Sequence, residues 1–202
     1  PWYADAPANF GTAYLYTGSA GGLGTTVAWS AQGSRVNAHF GDALAGAGDV
    51  NGDGYADVVI GEPGRGNTLA NEGGAVLYLG SPTGLGSPAM TWVGGQAGAG
   101  AGSSVANAGD INGDGYSDVV VGVPFYDDGQ VDEGAVFVYF GGPPPFSALP
   151  AQIIERDQAS ARFGHSVSSA GDVNGDGYAD VVVGAPRWTN GQASEGSVAV
   201  YL

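Results

Sequence analysis

The stretch Gly48-Asp49-Val50-Asn51-Gly52-Asp53-Gly54-Tyr55-Ala56-Asp57 returns almost unchanged from Gly109 to Asp118 and again from Gly171 to Asp180. The first aspartates of the three copies, Asp49, Asp110 and Asp172, lie 61 and 62 residues apart. That period rules out paired EF-hands and short solenoid repeats, and it suits a four-stranded propeller blade with generous loops.

Working outward, each copy sits in the same frame. A short segment, such as Phe40 to Ala45 or Phe163 to Ser168, leads into the acidic loop. A β-branched run follows the loop: Val58-Val59-Ile60, Val119-Val120-Val121 and Val181-Val182-Val183. Such runs suit strands buried on both faces. Each run stops at Gly-x-Pro, as Gly61-Glu62-Pro63, Gly122-Val123-Pro124 and Gly184-Ala185-Pro186, where proline ends pairing. After a variable polar loop, third strands are predicted at Gly74 to Leu79, Glu133 to Tyr139 and Gly196 to Leu202. Fourth strands are predicted around Val27 to Trp29, Met90 to Val93 and Ile153 to Glu155.

The fold class expected is therefore all-β, built from antiparallel four-stranded blades in about three repeats. Residues 1–202 read as a single repeat domain: a partial blade over 1–17, then repeats over 18–79, 80–140 and 141–202. Pro1 to Tyr16 aligns with Pro186 to Tyr201, so the chain begins late in one blade and ends on the third strand of another. The expectation is either a piece of a longer propeller or a homo-oligomer whose copies complete one another's edges.

Composition agrees. Glycine, at 39 residues, and 11 prolines cut the chain into short pieces and argue against long helices. Twenty acidic residues face five arginines and no lysine, for a net charge of −15, which would repel nucleic acid and anionic membranes. No apolar run reaches the roughly 18 residues of a membrane span, so no membrane insertion is expected. Cysteine is absent, so no disulfide framework exists. Pro1-Trp2-Tyr3-Ala4-Asp5 lacks the basic start of a signal peptide, so any export signal is already removed or lies outside this sequence.

The loop Asp-x-Asn-x-Asp-Gly-x-x-Asp offers oxygen at alternate positions: side chains at the first, third, fifth and ninth, and a backbone carbonyl at the seventh. Hard oxygen donors at that spacing suit calcium. Magnesium prefers strict octahedral geometry and retained waters, and zinc would want cysteine or clustered histidine. Glycine at the sixth position, Gly54, Gly115 and Gly177, permits the left-handed backbone of a sharp turn. An EF-hand would need glutamate at the twelfth position, which here is Ile60, Val121 or Val183. The loop therefore joins two strands.

These motifs together resemble the FG-GAP repeats of integrin α-subunit propellers. Phe40-Gly41 and Phe163-Gly164 match the Phe-Gly element and Gly184-Ala185-Pro186 matches Gly-Ala-Pro, while the middle repeat carries Ala101-Gly102 instead. The resemblance implies four-stranded blades around an axis, with calcium held in hairpin loops on one face. Carried over residue by residue, it implies three calcium ions. Their ligands would be Asp49, Asn51, Asp53, Tyr55 and Asp57; Asp110, Asn112, Asp114, Tyr116 and Asp118; and Asp172, Asn174, Asp176, Tyr178 and Asp180, the tyrosines acting through their carbonyls. It also implies a secreted or cell-surface adhesion or scaffold module with a protein or glycan partner.

Two rival functions are weighed. An enzyme finds little support, because His39 and His165 flank the Phe-Gly elements at non-equivalent positions and the sequence pattern sets no nucleophile beside them. A calcium-dependent lectin would need aromatic platforms beside polar loops. Trp29 and Trp92 fall on fourth strands, where packing between blades is expected. Trp2, Tyr3, Tyr126 and Trp188 lie in variable loops, where a ligand would be sought.

Overall fold

The computed structural model describes residues 10–202, and every regular element among them is a β-strand. A partial blade comes first. In it β1 (Thr12–Leu15) pairs with β4 (Trp29–Gln32), and the small ribbon of β2 (Gly18–Ser19) and β3 (Gly22–Leu23) lies between them in sequence. A four-stranded sheet follows, with β5 (Leu44–Gly48), β6 (Asp57–Gly61), β7 (Gly74–Tyr78) and β8 (Pro88–Val93) in sequential order. The next blade repeats that order with β9 (Ser104–Gly109), β10 (Asp118–Val123), β11 (Ala135–Tyr139) and β12 (Gln152–Glu155). The last sheet has three strands, β13 (Ser166–Gly171), β14 (Asp180–Ala185) and β15 (Ser197–Tyr201).

All strand pairings within the sheets are antiparallel. The innermost strands β5, β9 and β13 lie side by side, which stacks the sheets face to face around a common axis as propeller blades.

Alternation along each strand assigns side chains to the two faces of a blade. On β10, Val119, Val121 and Val123 join Val59, Leu77 and Trp92 in the core between the second and third sheets. Val120 points the other way and joins Val136, Val138, Val181 and Val183 in the next core. The β-branched run is thus buried on both faces, as expected.

The inner strands begin at Leu44 and Ser166, inside the segments Phe40 to Ala45 and Phe163 to Ser168 that lead into the acidic loops and a few residues beyond their Phe-Gly elements. Gly41 and Gly164 take φ of +87° and +80°, so Phe-Gly forms a turn before the strand, and from that turn Gly41 still donates its amide to the carbonyl of Gly61 on β6 at 3.0 Å. Phe40 and Phe163 still matter to the cores, at 1% and 0% exposure. In the middle repeat Ala101 sits equally buried, and Gly102 keeps the same left-handed backbone at φ +81°. The turn therefore survives the loss of the ring.

The fourth-strand tryptophans pack between blades. Trp92 stacks on Tyr139 with centroids 4.3 Å apart, and Trp29 meets Tyr78 edge-on at 4.9 Å. At the next interface Ile154 takes the place of the tryptophan in the same core as Tyr201. Trp2 and Tyr3 lie outside the described residues.

Candidate metal centre

Each acidic loop bridges an inner strand and its β-branched neighbour: β5 to β6, β9 to β10, β13 to β14. A register shift closes each hairpin, between Gly46 and Gly48, Asp118 and Val119, and Ser169 and Gly171. The turn itself is built by the carboxylates. Asp49 Oδ1 accepts the amides of Gly52 and Asp53 at 2.8 and 3.0 Å, and its Oδ2 accepts the amide of Gly54 at 2.8 Å. Asn51 Oδ1 accepts the amide of Asp53 at 3.1 Å while its Nδ2 donates to Asp53 Oδ2 at 2.9 Å, and Asp53 Oδ1 accepts the amide of Tyr55 at 3.0 Å. The same set recurs around Asp110 and Asp172.

The ninth-position aspartates behave differently. Asp57, Asp118 and Asp180 are buried at 1%, 0% and 1% exposure. Asp57 ties the start of its loop to the end of the third strand, accepting Val50 N and Gly80 N, both at 2.8 Å. Asp118 does the same with Ile111 N at 2.9 Å and Gly141 N at 2.8 Å. Asp180 accepts Val173 N at 2.7 Å, and its Oδ1 is buried without a hydrogen-bond partner.

Burial pushes the Asp57 carboxyl up, and it pushes Asp118 up to about 6, against the amide hydrogen bonds that favour the charged form. The neighbouring charges of Asp114 and Asp110 push Asp118 further in the same direction. Each loop thus holds a buried carboxyl group together with two more aspartates, and no lysine or arginine lies within any of the three loops.

The donors fit a hard divalent cation in kind: all are oxygens, and one of them, Asp180 Oδ1, is an orphaned buried acceptor. In position they are held by the loop's own amides. Among the described residues, no three acidic or histidine side chains come together as a ready metal site.

Adjacent loops are joined, a feature absent from the sequence reading. The amide of Ser117 donates to the carbonyl of Asp49 and the amide of Ala179 to the carbonyl of Asp110, both at 3.0 Å. Above these bonds, the ring of Tyr116 lies where a Cβ on Gly52 would sit, with Cε1 at 2.5 Å, and the ring of Tyr178 covers Gly113 in the same way at 2.6 Å. These glycines are needed for close approach as well as for their positive φ.

A second recurring carboxylate precedes the third strands. Glu72 and Glu133 are buried at 1% and 0% exposure and accept amides of the preceding polar loop, Glu72 from Asn67 and Thr68 at 3.0 Å and Glu133 from Asp128 at 2.6 Å. The Glu-Gly pair before each third strand was the available clue.

A family model for the FG-GAP repeat matches residues 40–79, 101–139 and 163–201. The chain belongs to the FG-GAP repeat family. The three matched segments begin at the Phe40, Ala101 and Phe163 turns and run through the third strand of each blade. Integrin alpha-4 of Xenopus laevis is 33% identical over 180 residues, covering 87% of this chain and 17% of its own length. Integrin alpha-IIb of Homo sapiens is 33% identical over 162 residues, covering 76% of this chain and 15% of its own. Integrin alpha pat-2 of Caenorhabditis elegans is 40% identical over 166 residues, covering 76% and 13%. The FG-GAP chain thus spans less than a fifth of the length of these relatives.

Two aromatic residues of the variable FG-GAP loops, Tyr126 and Trp188, are half-buried and packed inward. Tyr126 packs edge-on against Phe137 at 5.3 Å, and Trp188 packs on the adjoining core with the Arg156 guanidinium 4.3 Å above its ring. A flat ring at a loop base gains more from burying apolar area than from facing water.

Proposed function

We propose that the chain is a calcium-binding FG-GAP propeller module that presents an extracellular surface for protein binding, in adhesion or scaffolding, with calcium in a structural role. The observation that carries this reading is the buried aspartate at the base of each oxygen-lined loop, a negative charge with no cationic side chain in its loop. Calcium would supply the missing positive charge. Its holders would be the side chains of Asp49, Asn51, Asp53 and Asp57 with the carbonyl of Tyr55, and their equivalents at Asp110, Asn112, Asp114, Tyr116 and Asp118 and at Asp172, Asn174, Asp176, Tyr178 and Asp180.

The likeness to integrin alpha subunits supports placing the module outside the cell or at its surface. We assign no catalytic role, since His39 and His165 stand at non-equivalent positions of their repeats. Protein is favoured over glycan because the three tryptophans among the described residues are committed: Trp92 and Trp29 to the cores between blades, and Trp188 to Arg156. Strong, selective binding on a glycan array would reverse that preference.

Thermal unfolding in calcium and in chelator tests the metal reading. A ligand that binds only the native state stabilises by about 2.7 kcal/mol per site at 100 times its dissociation constant. The melting temperature should fall markedly in chelator, and Asp114→Ala should reproduce part of the fall. Superimposable melting curves would make the loops ordinary turns.

A further inference from the structure

The first acidic loop is gripped by the next blade at three consecutive points. The amide of Ser117 donates to the carbonyl of Asp49 at 3.0 Å, the amide of Gly142 donates to the carbonyl of Val50 at 2.8 Å, and the ring of Tyr116 fills the space where a Cβ on Gly52 would stand. Gly52 donates its own amide to Asp49 Oδ1 at 2.8 Å. The ring and the Ser117 bond therefore end on one residue, the first through its carboxylate and the second through its carbonyl. The second loop is held alike: Ala179 N meets the Asp110 carbonyl at 3.0 Å, the Tyr178 ring lies against Gly113, and Gly113 N donates to Asp110 Oδ1 at 2.7 Å.

These ties leave from the second loop's own donor residues. Tyr116 is its seventh position, and Ser117 is the next residue in the chain. Gly141, the neighbour of Gly142, donates its amide to the buried Asp118 at 2.8 Å. An ion that fixes the Tyr116 carbonyl and the Asp118 carboxylate thus also fixes the peptides that grip the first loop. Groups that orient a metal ligand without binding the metal commonly govern affinity by about 10- to 100-fold.

We propose that Tyr116 and Tyr178 are positioning residues for the cation held by the preceding blade, and that the first and second loops take up calcium cooperatively. This coupling rests on the calcium reading above. With the ring gone, the Gly52 peptide is free to turn, Asp49 Oδ1 loses a fixed partner, and its carboxylate must be ordered at the expense of binding. Coupling between two sites is reciprocal, so an ion in the first loop strengthens the second by the factor it receives.

The test is hydrogen–deuterium exchange of the full chain over a series of calcium concentrations, read by mass spectrometry so that each loop gives its own midpoint. Tyr116→Ala should move the midpoint of residues 48–57 to about tenfold higher calcium and leave that of residues 171–180 in place. Tyr116→Phe, which keeps the ring, should restore it. Asp114→Ala, which removes a donor from the second loop alone, should weaken the first loop about fivefold. Tyr178→Ala makes the same test on residues 109–118, and decides the matter if Tyr116→Ala does not fold. A first loop unmoved by Tyr116→Ala, one indifferent to Asp114→Ala, or an equal displacement of all three loops would overturn the proposal and leave calcium binding standing. Wild-type loops that never respond to calcium would overturn the calcium reading and this coupling with it.

Discussion

Replacing Asp118 by asparagine separates its two roles, as a clamp for the hairpin and as a negative charge for a cation. The side chain is fully buried at 0% exposure, with Gly141 N at 2.8 Å on one oxygen and Ile111 N at 2.9 Å on the other. Burial lifts its carboxyl from 3.8 to about 6. A rise of that size sets about 3 kcal/mol against the charged form at neutral pH in the metal-free protein. The substituted amide would keep the shape and one acceptor, shed the charge, and lose one hydrogen bond worth about 1–3 kcal/mol by turning an NH2 toward a backbone N–H. In chelator relief and loss nearly cancel, so Asp118→Asn should unfold within about 1–2 kcal/mol of wild type. In calcium the neutral amide is a poorer donor, and the variant should forfeit most of the second loop's increment, about 2.7 kcal/mol at 100 times the dissociation constant. Urea unfolding followed by circular dichroism, with and without calcium, reads both numbers. A variant that retains the full calcium increment, or that loses as much stability in chelator as in calcium, would refute the reasoning.

Trp92→Ala should cost about 3–5 kcal/mol in chemical denaturation, since the ring is 2% exposed, stacks on Tyr139 and donates to Ser147 O at 2.9 Å; a loss under about 1 kcal/mol would contradict the packing between blades. Gly52→Ala should destabilise more than Gly115→Ala although their φ values, +75° and +90°, are alike, because only Gly52 lies under a neighbouring tyrosine. Equal losses in thermal unfolding would remove the interlock between loops. Val198 and Val200, at 69% and 51% exposure, present an apolar face on the last sheet, so this chain should self-associate in light scattering. A sharp monomer near 20.0 kDa would contradict that.

Much of the fold was legible because the repeat is carried by residues with one dominant preference each. Val119-Val120-Val121 marks a strand buried on two faces, Pro124 marks its end, and Gly115 marks the loop turn. The fourth-strand positions of Trp29 and Trp92 were also readable, because a large ring on an otherwise weak strand needs a neighbouring sheet. The turn before each inner strand was not legible, because the left-handed φ of Gly41 and Gly164 has no signature beyond glycine itself.

In the loops the residue types and spacing pointed to a cation, but not to the amides that hold Asp49 and Asp53, nor to the clamp at Asp57 and Asp118. Those partners, Gly80 and Gly141, lie 23 residues from the aspartates they bind. The seating of Tyr116 on Gly52 joins residues of successive repeats, and no periodicity within one repeat reveals it. Glu72 and Glu133 went unread for the opposite reason: a glutamate in a polar stretch is ordinarily solvated, and only burial shows that it organises the loop before it.

The most direct measurement is a calorimetric titration of calcium into the chain after its divalent ions have been stripped. Three sites per chain are expected, taking the formal charge from −15 to −9 as three ions add six positive charges, with calcium preferred to magnesium. A single site, no heat of binding, or tighter magnesium binding would contradict it.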